Sequence, residues 1–94
     1  MRNHRFEWDD GKARLNLAKH KVSFETATVV FDDPNAIIET DNEPDEERWK
    51  TIGLSPDNLV FVIWTERHGT IIRIISARKA NRHEEDRYYR QARS

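Results

Sequence analysis

Two nearly continuous apolar runs, residues 59–65 and 71–77, are separated only by Glu66-Arg67-His68-Gly69-Thr70. Runs this rich in β-branched and aromatic residues suit strands covered on both faces, and His68-Gly69 supplies a turn that folds one back on the other. They predict a hairpin in the middle of a sheet. Arg73 and Arg78 interrupt this pattern. An arginine in or beside such a strand either emerges on a solvent-facing sheet surface or is held there to grip an anion.

The flanking sequence supplies the remaining elements. Phe6-Glu7-Trp8 is a short strand, stopped by Asp9-Asp10-Gly11, where an aspartate side chain can cap a helix. Over residues 12–20, Ala13, Asn16/Leu17 and His20 share one helical face, with Lys12 and Lys19 outside it. Ser23 is an N-cap for a second helix, with Glu25 near its positive end and Val22 placed to staple onto Ala27. Phe24, Ala27, Val30 and Phe31 form its buried stripe until Asp33-Pro34-Asn35 ends it. Residues 36–40 read as a strand, the acidic stretch 41–47 as a solvated loop, and 48–54 as a strand by alternation. Ser55-Pro56-Asp57-Asn58 has the chemistry of a tight turn. Opposite charges four residues apart, Arg82 with Asp86 and Asp86 with Arg90, favour a helix over residues 81–93.

This order predicts an α+β domain: an N-terminal strand and two helices packed on one face of an antiparallel sheet, with a C-terminal helix. The other sheet face is expected to be open, to carry arginines, and to suit RNA or a protein partner.

With 94 residues and no internal repeat or long linker, the chain reads as one domain with a thin core. A net charge of -1 does not give the global field of an obligate nucleic-acid binder. The charge is segregated, however: acid gathers at 41–47, while Arg67, Arg73, Arg78, Lys79 and Arg82 make the distal half basic enough to hold phosphates. No apolar stretch approaches the roughly 18 residues of a membrane span, and the first residues lack a signal-peptide core, which points to the cytoplasm. Without cysteine, disulfides and thiolate zinc sites are excluded. His4, His20, His68 and His83 show no ligand-pair spacing, so no metal or other cofactor is expected.

Several ordered motifs carry a resemblance. Phe6-Glu7-Trp8-Asp9 with Lys12 and Asn16, Lys19-His20-Lys21-Val22-Ser23-Phe24-Glu25, and Val30-Phe31-Asp32-Asp33-Pro34 resemble the first half of the BrnT family of type II toxins. Glu47-Arg48-Trp49 with Ile52-Gly53, Thr65-Glu66-Arg67, Arg73-Ile74-Ile75-Ser76-Ala77-Arg78 and the tail glutamate and tyrosine continue it in the family's order. The resemblance implies a RelE-like fold, a ribonuclease toxicity that stops translation, and neutralisation by a BrnA-like antitoxin in a hetero-oligomer. DNA would then be met only through the antitoxin. The chain departs from the family pattern at Lys21, where glycine is usual at a left-handed helix end. It departs again at Asp41-Asn42-Glu43-Pro44, where relatives often carry a histidine.

RNA cleavage without a metal needs a base for the ribose 2′-hydroxyl, an acid for the leaving oxygen, and cations for the phosphorane charge. Arg48, Arg67 and Arg78 are candidates for the cationic task, because a guanidinium binds phosphate at two points and stays charged. Glu66 or His20 could serve as base or acid. Lys12, Lys19, Arg73 and Tyr88 are candidate substrate contacts. Alternation puts Arg73 and Arg78 on opposite faces unless a bulge intervenes, which favours Arg78 at the strand end. Each residue also has a plainer reading: surface ion pairs for the arginines, a helix C-terminal contact for His20, core packing for Trp8, Trp49 and Trp64, and tail docking for Tyr88. The expected function is a metal-independent endoribonuclease toxin. The alternative is a non-catalytic module that binds an antitoxin-like protein and acts as a co-repressor.

Overall fold

The structure, a computed structural model, describes residues 5–43 and 46–93. Along the chain run β1 (Arg5–Glu7), α1 (Asp10–His20), α2 (Phe24–Val29), a 3-10 turn (Val30–Asp32), β2 (Ile37–Glu43), β3 (Glu46–Leu54), β4 (Leu59–Arg67), β5 (Ile71–Lys79) and α3 (Arg82–Ala92). The strands form one sheet in the order β1-β5-β4-β3-β2, so the apolar hairpin β4–β5 has a neighbour on each side. His68 and Gly69 both take positive φ, 55° and 74°, and Thr70 N–H bonds the Arg67 carbonyl, the backbone a type I′ turn requires.

Helix starts and stops follow local chemistry. Asp9 caps α1 by accepting from Lys12 N–H at 2.8 Å, and Ser23 caps α2 by accepting from Thr26 N–H at 3.0 Å. Lys21 ends α1 in the left-handed conformation, φ 61° and ψ 24°. Phe24, Ala27, Val30 and Phe31 are all buried, as their spacing predicts, against Val60, Val62, Trp64, Ile72, Ile74 and Ala77. Trp8 and Trp49 pack on the same cluster, and Trp64 Nε1 donates to Thr51 Oγ1 at 2.8 Å. Burying each such aliphatic or aromatic side chain contributes about 1.5–3 kcal/mol. Gly53 lets the 3-10 turn sit directly on β3: a Cβ there would stand 2.9 Å from Val30 Cβ and 3.0 Å from its carbonyl oxygen.

On α1 the buried residue is Asn16, while Leu17 is exposed. Asn16 Nδ2 donates to the Val22 and Ala77 carbonyls, and its Oδ1 accepts from Ala77 N–H. This helix is therefore clamped to β5 by hydrogen bonds more than by an apolar stripe.

Four features differ from the sequence expectation. First, the sheet is mixed, because β1 pairs parallel with β5. Second, most of the acidic stretch is strand: Asp41 to Glu43 continue β2 and Glu46 and Glu47 begin β3. Cross-strand pairing, with an Asp41–Arg48 ion pair at 3.1 Å, offsets the low strand propensity of acids. Third, α3 crosses to the face opposite α1 and α2 and covers one end of it. Tyr88 is buried there with Ile37, Ile52 and Leu59, and its hydroxyl meets Asp33 Oδ2 at 2.5 Å. Fourth, a bulge lies in β5, where Ile63 pairs with Ser76 but Trp64 pairs with Ile74. It leaves Ile75 as the extra residue and lets Ile74 and Ala77 enter the same core.

Candidate active site

The sheet has an apolar face under α1 and α2 and a second face of very different character. Pairing register defines that second face row by row. At one end, Ile37, Ile52, Phe61 and Arg78 stand in line across β2, β3, β4 and β5. The apolar members of this row lie beneath Tyr88 of α3. The next row holds Glu39, Lys50, Ile63 and Ser76. Beyond it, Glu7 pairs with Arg73, Arg73 with Thr65, and Asp41 with Arg48, which follows on from the Trp49–Trp64 pair. The outermost row contains Arg67 and Ile71.

The row from Glu7 to Asp41 is therefore acid, arginine, threonine, arginine, acid across all five strands. Arg73 Nη1 donates to Glu7 Oε2 at 2.7 Å, and Arg48 Nη2 donates to Asp41 Oδ2 at 3.1 Å. Thr65 in the middle donates its hydroxyl to the Glu47 carbonyl at 2.8 Å. With strands about 4.8 Å apart, the two arginine Cα atoms are about 10 Å apart. The β5 bulge makes this arrangement possible, because it places Arg73 and Arg78 on one face.

The arginines differ in what they have left to bind with. Arg78 is heavily committed: it donates twice to Glu84 at 2.9 Å, once to the Lys79 carbonyl at 3.1 Å, and its guanidinium lies 4.1 Å over the Phe61 ring. Burial raises the Glu84 carboxyl, but the Arg78 hydrogen bonds, the Asn81 backbone bond and the charges of Arg78 and Lys50 outweigh it. They hold this carboxyl below its ordinary value. Arg73 spends one of its five N–H groups on Glu7, and its side chain is 31% exposed. The rest of its fork meets no acceptor among the described residues. Arg67 is exposed at the rim.

The other sequence candidates lie elsewhere. His20 is the last residue of α1 and Lys12 and Lys19 are exposed on the same helix, so the sheet separates them from the arginine rows. Glu66 pairs with Ile72 and alternates to the α1 side, exposed beside the turn. Tyr88 docks α3, with burial first and then the Asp33 bond and charge raising its hydroxyl far above the ordinary value of 10.0. Glu7, Thr65, Asp41 and Glu84 were not sequence candidates. Glu7 could have been found only by setting Phe6 inward in a parallel register on β5. A groove of about 520 Å³ lined by Phe31, Asp33, Ala36, Ile38 and Thr51 lies on the α2 side of β2, away from every arginine row.

An acid–arginine row on an open sheet face offers guanidinium donors of the kind that bind phosphate. The solved 1.1 Å crystal structure of the Brucella abortus ribonuclease toxin BrnT is similar to this chain. It has 26% identity and a TM-score of 0.68, covering 85% of this chain and 100% of the Brucella chain. No curated protein matches. The family model for the ribonuclease toxin BrnT of type II toxin–antitoxin systems matches residues 8–84, and with most of the fold and the arginine face inside those bounds the chain belongs to the BrnT family.

Proposed function

We propose that the chain is the toxin of a type II toxin–antitoxin pair and acts as a metal-independent endoribonuclease, with RNA laid across the arginine face. The observation that carries this reading is Arg73: one edge of its guanidinium is fixed by Glu7 and the remainder is open to a phosphate. Arg48 and Arg67 flank it across β4 and at the rim. Charge on the phosphorane is then met by guanidinium groups, which need no change of protonation during the reaction. Arg78 supports the site from its bonded position under α3 rather than by direct contact.

A BrnA-like antitoxin neutralises this activity by burying the same face, in a cytoplasmic hetero-oligomer that reaches DNA through the antitoxin. Among the described residues no helix is long and apolar enough to cross a membrane. Purified toxin incubated in EDTA with total RNA and with mRNA on ribosomes tests the proposal. Cleavage lost in Arg73→Ala and Arg48→Ala, and retained in the turn variant Asp57→Ala, supports it. A folded wild-type protein that cleaves neither substrate overturns it in favour of the co-repressor module.

A further inference from the structure

The ribonuclease reading leaves the proton acceptor unassigned, because His20 and Glu66 stand away from the arginine rows. Among the described side chains four carboxylates face those rows, and their partners separate them. Glu84 receives two Arg78 bonds and the Asn81 N–H, and its side chain is only 12% exposed. Glu39 is shared between Arg87 and Lys50. Asp41 lies on β2, three strands from Arg73 and hence about 14 Å away across the sheet. Glu7 touches Arg73 directly through Oε2, its side chain is 37% exposed, and its Oε1 has no bonded partner among the described residues.

We propose that Glu7 is the general base of this site, taking the proton from the ribose 2′-hydroxyl next to a phosphate bound on Arg73. This inference rests on the ribonuclease reading. A phosphate gripped by the open edge of the Arg73 fork and a carboxylate held on Nη1 sit side by side on one planar group. The 2′-hydroxyl of a ribose attached to that phosphate is thereby brought beside Glu7 Oε1. The Arg73 bond fixes the direction of the carboxylate, so the acceptor is oriented before substrate arrives.

In the step, Glu7 accepts the 2′-proton as the 2′-oxygen bonds to phosphorus. The bond from phosphorus to the 5′-oxygen breaks, and the leaving oxygen takes a proton from water. The Glu7 proton then passes to the hydroxide so formed. The products are a 2′,3′-cyclic phosphate and a free 5′-hydroxyl, with no net proton consumed.

The test is steady-state cleavage of an RNA substrate by wild type, Glu7→Gln, Glu7→Asp, Arg73→Ala and Asp57→Ala, each checked for folding by thermal denaturation. Glutamine keeps an oxygen for Arg73 but cannot take the proton. We expect kcat to fall about 10²–10⁴-fold in Glu7→Gln with KM for RNA little changed. The acid limb of the wild-type pH–rate profile should vanish in that variant, and Glu7→Asp should keep a measurable part of the activity. A folded Glu7→Gln protein with kcat within about threefold of wild type overturns the base assignment while leaving the ribonuclease reading intact. If Glu7→Gln does not fold, a wild-type profile with no carboxylate ionisation on its acid limb overturns it equally. A wild type that cleaves no RNA overturns the ribonuclease reading itself, and the assignment with it.

Discussion

Single residues in this chain are set by backbone geometry and by what hydrogen bonds they complete. Lys21 holds φ 61° and ψ 24°, a conformation that a Cβ disfavours and glycine adopts freely. Lys21→Gly should therefore raise stability by about 1 kcal/mol, read from urea denaturation with unchanged slope. The left-handed residue was legible, since the family pattern places glycine at that position. Asn16 was less so. Its spacing marked a helix face, but nothing in the sequence announced that its amide would bridge the carbonyls of Val22 and Ala77. Asn16→Leu removes both donors and the acceptor for Ala77 N–H in a buried place, leaving backbone groups unpaired. At about 1–3 kcal/mol for each orphaned group, it should destabilise by about 3 kcal/mol or more, checked by the same denaturation.

At the scale of elements, the segments with strong local signals formed as their patterns require: the capped α2, the apolar hairpin and the His68-Gly69 turn. Those that depend on distant partners were hidden. The bulge at Ile75 sits inside an apolar run with no alternation to mark a slip, so only pairing with β4 shows that Arg73 and Arg78 share a face. The docking of α3 was half legible: Tyr88 stood out as a residue that could dock the tail, but its partner Asp33, far off in the chain, did not. Two residues of α3, Tyr88 and Glu84, give the helix a pH dependence with two limbs. Tyr88 is raised above its ordinary value of 10.0 by burial, then by Asp33 and Tyr89, so the unfolded chain ionises first. Its contribution is fully present below pH 10 and is lost as pH rises beyond it. Glu84 is held below its ordinary value of 4.5, so its contribution is present above that pH and fades as acid is added. Tyr88→Phe should cost about 2 kcal/mol at neutral pH by removing a hydrogen bond to a carboxylate. It should also flatten the alkaline fall of Tm above pH 10, whereas Glu84→Gln should weaken the acid fall instead.

Across the whole molecule the sheet divides labour. One face is consumed by the core, and the other holds charged side chains in register because β1 enters parallel at one edge and the β2–β3 hairpin extends through the acidic stretch at the other. The total charge of -1 conceals this, since each arginine in the central row is matched by an acid in the same row. A bound RNA must therefore compete with carboxylates, and its affinity should depend on salt only modestly, through few contacts. For single strands log K falls with log salt by about 0.7 per phosphate neutralised. If Arg73, Arg48 and Arg67 each hold one phosphate, the slope should be about -2, and each Arg→Ala change should reduce it by about 0.7. Fluorescence anisotropy with a 2′-O-methyl RNA, which cannot be cleaved by attack of its own 2′-oxygen, measures this directly. Lys19 stands on the helical side of the sheet. An unchanged slope in Lys19→Ala keeps the strand on the arginine face, whereas a reduced one extends its path around the sheet edge onto α1. A slope near zero in the wild type would mean that the carboxylates keep their arginines, and the face would then be a protein-docking surface rather than a bed for RNA.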